Sequence, residues 1–188
     1  PLLNEKPDNS MHLPFPVERT VSEADSQLRW IGFQMGASSF KKCWPVERFV
    51  TFANQLFAHD DVRVVLIGAP NEVPLQDEFL QKLASRFHDH VKPLIGKTTL
   101  KGLIQEVKNM DLLVTSDTGP MHLAVAMRVP TASMYVITSP YLYCPYQDPQ
   151  LHKVVYKAYT TLDEIKYRSA LEKVSCEEIM VHVKPFLQ

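Results

Sequence analysis

Asp111-Leu112-Leu113-Val114-Thr115-Ser116-Asp117-Thr118-Gly119-Pro120-Met121-His122-Leu123-Ala124-Val125-Ala126-Met127-Arg128-Val129-Pro130, running on through Thr131 to Val136, decides the fold. Leu112 to Thr115 is a short apolar run that suits a strand buried on both faces. It ends in small polar residues and a glycine. Pro120 then stands at the first helical position, where its missing N–H would have been unpaired anyway. Leu123, Ala126 and Met127 recur at helical spacing, Pro130 stops the helix, and Thr131 to Val136 reads as the next strand. The result is a βαβ unit whose polar turn lies at the C-terminal end of its first strand.

The segments on either side repeat this alternation. Upstream, Leu28 to Met35 and Val62 to Ile67 suit strands, and so does the shorter Val91 to Ile95. Helices are predicted from Pro45, with Phe49, Phe52, Ala53 and Leu56 on one face, and over Leu75 to His88, with Phe79, Leu80, Leu83 and Phe87 inward. A third covers Thr99 to Met110 and carries Leu100, Leu103, Ile104 and Val107. Downstream, Ile137 to Pro149 is a long loop, His152 to Tyr156 a last strand and Ser175 to Leu187 a closing helix. Strands alternating with helices specify an α/β fold, a Rossmann-like parallel sheet with helices on both faces. Residues 1–27 have prolines at 7, 14 and 16 and no period; they read as an arm or linker, with an extended piece around His12 to Val17. Residues 28–188 form the domain.

Composition narrows the class. With 45% hydrophobic residues in 188, the chain can bury one good core. Twenty basic against 21 acidic side chains leave no positive field, and no basic stripe interleaved with aromatics appears, which argues against nucleic acid. Cys43, Cys144 and Cys176 are far apart, so neither a zinc site nor a disulfide framework is expected, and the cytoplasm is the expected compartment. No apolar run approaches the ~20 residues of a membrane span. No secretory leader is recognisable at the start.

In open parallel sheets, ligands bind outside the carboxyl ends of the strands. Three polar loops fall there. Lys42, just ahead of Trp44 and Pro45, can reach a phosphate, although a lone lysine is more often a solvated surface charge. Glu72, after Gly68-Ala69-Pro70-Asn71, can accept from ribose hydroxyls or simply favour a helix N-terminus. Asp117, Thr118, Gly119 and His122 combine a carboxylate, a hydroxyl and an exposed backbone with a helix N-terminus, which suits an anion. The plainer reading makes Asp117 or Thr118 an N-cap and His122 a partly buried helix residue. Gly96-Lys97-Thr98 looks like the tail of a P-loop, but the glycine needed five residues earlier is Val91, so no phosphate cradle forms there.

Gly36-Ala37-Ser38, Lys42-Cys43-Trp44-Pro45, Leu66 to Glu72, Ser116 to Ala124 and Val129-Pro130-Thr131 occur in an order and spacing that resemble the bacterial ADP-heptose:lipopolysaccharide heptosyltransferases. These are glycosyltransferase family nine enzymes of the GT-B fold. The resemblance runs from about Trp30 to Pro145 and implies the C-terminal, nucleotide-sugar-binding half of such an enzyme. It implies donor-binding roles for Ser38, Lys42, Glu72, Thr98, Asp117, Thr118, Gly119 and His122, with Lys42 on the diphosphate and Glu72 on the ribose. ADP-heptose is then a substrate, and neither a cofactor nor a metal is called for. The catalytic aspartate and most of the site for the lipopolysaccharide core acceptor belong to an N-terminal half not found here. The full enzyme would be cytoplasmic, with room for peripheral association with the inner membrane. Ile137-Thr138-Ser139-Pro140 departs from the family's glycine-containing run. Tyr141, Tyr143 and Tyr146 read as loop packing more readily than as pocket walls. Two other readings stand beside this one: a non-catalytic nucleotide- or sugar-nucleotide-binding module, and a flavodoxin-like regulatory domain without a ligand.

Overall fold

The structure, a computed structural model, describes residues 16–136, 140, 145, 147–158 and 170–187. Among these, β1 (Arg29–Gln34), β2 (Val62–Ile67), β3 (Val91–Pro93), β4 (Leu112–Ser116), β5 (Thr131–Tyr135) and β6 (His152–Tyr156) form one sheet. The strand order is β3-β2-β1-β4-β5-β6, and every pairing is parallel. The helices are α1 (Val46–Leu56), α2 (Val73–Lys82), α3 (Leu100–Asn109), α4 (Gly119–Ala126) and α5 (Cys176–Val183). The Rossmann-like α/β expectation holds.

Side-chain alternation along each strand feeds two cores. Ile31, Phe33, Val64, Leu66, Leu112 and Val114 point to the side covered by α1, α2 and α5. Val65, Ile67 and Leu113 point to the side of α3 and α4, where Val107, Met110, Ala124 and Met127 meet them. That two-sided burial is why the strands read as near-continuous apolar runs. At the middle of β1, a Cβ on Gly32 would overlap the Met110 sulfur, so only glycine lets α3's end lie so close. Helix α4 ends in a Schellman arrangement: Val129 N–H donates to the Ala124 carbonyl at 2.8 Å and Arg128 N–H to Val125 at 3.0 Å. Arg128 takes the left-handed position (φ 57°) that glycine usually fills.

Several expected elements change shape. The helix expected over Leu75 to His88 stops at Lys82; Leu83 turns extended (ψ 137°) and a separate 3-10 turn covers Ser85–His90. The break lets Leu83 enter the core while Phe87 packs on Phe57 at 5.2 Å between ring centres. The closing helix likewise becomes α5 plus a 3-10 turn, Lys184–Phe186, where Pro185 disfavours continuation. Leu100, at the start of α3, is 72% exposed. Residues 12–15, 137–139 and 141–144 and Tyr146 lie outside the described residues. The readings for the His12 piece, the Ile137 departure and the three tyrosines fall there.

The stretch before β1 is pinned to the opposite end of the sheet. Arg19 grips Asp111 through two nitrogens at 2.7 and 3.2 Å, and Asp111 also accepts from Trp30 N–H at 2.8 Å. On the ligand-facing side, Trp44 does comparable work. It is 2% exposed, packs edge-on against Phe49 (4.9 Å), and donates its indole N–H to the Val174 carbonyl at 3.0 Å. It thereby anchors the turn that carries Lys42. Trp44→Ala should cost about 3–5 kcal/mol, as for other buried large aromatics. Trp44→Phe, which keeps the packing but orphans the carbonyl, should cost about 1–3 kcal/mol. Urea unfolding measures both; an unchanged midpoint for Trp44→Phe would show that Val174 does not depend on the indole.

Candidate functional site

The chain steps from β1 outward to β2 and β3, then returns to β4 and steps the other way to β5 and β6. Loops after β1 and β4 therefore part at a topological switch point, where parallel sheets open a crevice. A cleft of about 570 Å³ lies there, within the range that holds a nucleotide-sized ligand. The loops after β1, β2, β3 and β4 all contribute to its wall. Ser38, Lys42, Glu72, Thr98, Asp117, Thr118, Gly119 and His122 all line it. Residues 84 positions apart in sequence meet because each follows a strand of one parallel sheet.

Lys42 is no solvated surface charge. Its Nζ lies 2.9 Å from Asp117 Oδ2, and the two side chains are 18% and 11% exposed. His122 Nε2 approaches the other oxygen of Asp117 at 3.6 Å and is itself 43% exposed. The turn bearing Lys42 is short and capped: Ser39 Oγ accepts from Lys41 N–H at 3.3 Å, and the turn closes through Lys42 N–H to the Ser39 carbonyl at 2.9 Å. Cys43 follows, half-buried, its thiol 3.5 Å from the Ser39 carbonyl. Burial pushes that thiol up, the nearby Glu72 charge adds to it, and a backbone contact at Ala37 only partly offsets them.

Thr118 occupies the N-cap position of α4 but supplies no cap. Its hydroxyl instead meets Thr115 Oγ1 at 3.0 Å, so the Thr118 side chain caps none of the helix N–H groups. Thr118 is thus the N-cap by position without a side-chain cap, and His122 is a partly buried residue of the same helix. The positive end of the helix is left available to an anion. A Cβ built on Gly119 meets nothing within 4 Å, so the backbone there borders open space.

Glu72 is held more tightly than the sequence suggests. It closes a capping turn by accepting from Ala69 N–H at 2.9 Å, and it accepts from Gln34 Nε2 at 3.1 Å. Its carboxylate fills a notch between Gly36 and Gly68: a Cβ on either glycine would overlap it. The loop after β3 docks alongside, with Gly96 in the left-handed region (φ 73°) and its N–H on the Gly68 carbonyl at 3.1 Å. That docking, not a P-loop, brings Thr98 and Thr99 to the cleft. Thr99 caps α3 by accepting from Gly102 N–H at 3.2 Å.

Sequence reading missed Gln34 and the apolar wall. Gln34 is an amide that follows the apolar run Trp30 to Phe33 and is buried at the strand's end, and that anomaly was a usable signal. Leu100 and Leu103 line the cleft with Pro70, and Leu103 also packs against the core on the α3 and α4 side; helical periodicity groups the two leucines without saying what they face. Among the described residues, no three His, Cys, Asp or Glu side chains converge as metal ligands. None of the helices described is long and apolar enough to cross a membrane.

Residues 6–175 match the family described as glycosyltransferase family 9 (heptosyltransferase). Lipooligosaccharide heptosyltransferase 2 of Haemophilus influenzae is 32% identical over 119 residues, 63% of this chain and 34% of that protein. Its namesake in Campylobacter jejuni is 35% identical over 108 residues, 56% of this chain and 33% of that protein. The solved structure of E. coli ADP-heptose lps heptosyltransferase II is 25% identical with a TM-score of 0.75, covering 93% of this chain and 55% of that one. The chain thus spans about a third of the length of the curated relatives it matches.

The glycine notch makes a prediction independent of any ligand. Gly36→Ala and Gly68→Ala should each cost about 1–3 kcal/mol, the usual range for overpacking, because the Glu72 carboxylate must leave its hydrogen bonds. Gly119→Ala, with open space beyond it, should stay within about 0.5 kcal/mol of the parent. Thermal unfolding of the three variants checks this; equal stabilities would show that the notch yields without resistance.

Proposed function

We propose that this chain, which belongs to glycosyltransferase family 9, the heptosyltransferases, binds ADP-heptose in the switch-point cleft for transfer of the heptose to a lipopolysaccharide core acceptor. The observation that carries the reading is the polarity of the cleft. A lysine and an uncapped helix N-terminus stand at one part of it, a fixed carboxylate at another, and a leucine wall lies alongside. That sequence of surfaces suits diphosphate, ribose and nucleobase in turn.

In this reading Lys42, Thr118 and the Gly119 end of α4 take the diphosphate, and Glu72 accepts from a ribose hydroxyl. Leu100 and Leu103 flank the base near Thr98. Lys42 pairs with Asp117, so a diphosphate competes with that carboxylate for the lysine, and Asp117 then accepts from heptose hydroxyls beside Ser38 and His122. During inverting transfer, negative charge grows on the departing diphosphate, where a lysine and a helix dipole held ready stabilise it without reorganising. The base that deprotonates the acceptor is assigned to the part of the relatives' length that this chain does not match, as is the acceptor site. Asp117 is a poor candidate for that base, since Lys42 and His122 occupy its two oxygens. Residues 1–27 act as the linker to that half, and the whole enzyme works in the cytoplasm, at the inner face of the membrane that holds its acceptor.

Calorimetry with ADP tests the donor site. Lys42→Ala should weaken binding by about 1.5–3 kcal/mol, the range for hydrogen bonds to charged groups, and Lys41→Ala by much less. Equal losses would mean a diffuse positive loop instead of a specific contact. With ADP-heptose and deacylated lipopolysaccharide, this chain alone should give no turnover; turnover would overturn the assignment of the base to another half.

A further inference from the structure

Gln34 is 4% exposed, lines the cleft at the end of β1, and plays no part in the reading above. Its side-chain N–H₂ donates twice, to the Gly36 carbonyl at 3.1 Å and to Glu72 Oε2 at 3.1 Å. Its own Oε1 is buried and, among the described residues, has no partner. A leucine of nearly the same volume would fill the strand end without burying an orphaned carbonyl. The amide therefore stands where an apolar side chain would be more stable, and what it contributes is a tie between the loop after β1 and the carboxylate after β2.

That tie divides the labour of the Glu72 oxygens. Oε2 receives both Gln34 Nε2 and Ala69 N–H, while Oε1 makes no hydrogen bond among the described residues. The last torsion of a glutamate is broad, so without a partner the carboxylate can pivot and offer either oxygen. We infer that Gln34 is the positioning residue for Glu72: it holds Oε2 back and leaves Oε1 as the single acceptor for one hydroxyl of the nucleoside's sugar. The donor's ribose is thereby read as a hydroxyl at one position, not as a diol gripped at both. This inference rests on the assignment of Glu72 to the ribose.

The experiment measures affinity of the chain for ADP, 2′-deoxy-ADP and 3′-deoxy-ADP by calorimetry. The parent should bind one of the two deoxy analogues about tenfold or more weakly than ADP, as for a lost hydrogen bond to a charged group. Gln34→Leu should fold with the parent's circular dichroism, keep ADP binding within severalfold, and lose most of that preference. Gln34→Glu supplies a second test if the leucine variant does not fold. At pH 8 it sets two carboxylates against each other and should abolish the preference. Toward pH 5 the pair shares a proton, the new carboxyl donates to Oε2 as the amide did, and the preference should return. A residue that serves stability alone would lower the melting temperature without moving the ratio or giving it a pH profile. Glu72→Gln separates the two claims. If it loses the preference while Gln34→Leu keeps it, the positioning role is wrong and the ribose reading stands. If the parent shows no preference, or Glu72→Gln keeps it in full, the ribose reading is wrong and the positioning role falls with it.

Discussion

Parallel pairing of β1 with β2 on one side and β4 on the other is the constraint from which the rest of the molecule follows. Ile31, Gly32 and Phe33 face Leu112, Leu113 and Val114 across one ladder and Val64, Val65 and Leu66 across the other. A strand paired in parallel on both edges needs crossovers on both faces, and these bury it from both sides. Hence the two cores, and hence the glycine at position 32 where α3's end must come close. Because the strands all run the same way, their C-terminal loops emerge along one edge. Because the chain reverses its stepping direction between β1 and β4, two of those loops part and leave a crevice.

Within that crevice the charged side chains hold fixed partners of their own. Lys42 and Asp117 are both largely removed from water and satisfy each other, which spares each the cost of a buried lone charge. A diphosphate that takes Lys42 must do so against Asp117, so affinity for the lysine is a difference between two partners and not a simple gain. Glu72 is treated differently. Two donors, both on Oε2, and two glycines fix it from the protein side.

The aromatic cluster beneath α1 connects this chemistry to stability. Trp44 reaches from the Lys42 turn to the carbonyl of Val174, next to the start of α5, and packs edge-on against Phe49 and Phe52. The position of a lysine at the cleft is therefore underwritten by packing on the far side of the turn. Disturbing that packing would displace the charge as well as weaken the fold.

The sequence by itself determined the fold class, the order of elements and the loops that face the cleft, because apolar periodicity and the Pro/Gly punctuation of Leu112 to Pro130 are local properties. It also supplied the family, through motifs whose spacing is a property of the chain. It could not tell that Lys42 meets Asp117, since 75 positions separate them and only the pairing of β1 with β4 brings their loops together. Nor could it tell that Gln34 holds Glu72, or that Leu100 lines the cleft. Periodicity shows that a residue lies on a helix face, but not whether that face extends past the edge of the sheet. The break at Leu83 has the same origin: helix propensity favoured continuing to His88, and a core place for Leu83 with Phe57 for Phe87 outweighed it. Local chemistry chose the elements, and the tertiary packing decided which side chains became partners, because partnership depends on distances that no local pattern encodes.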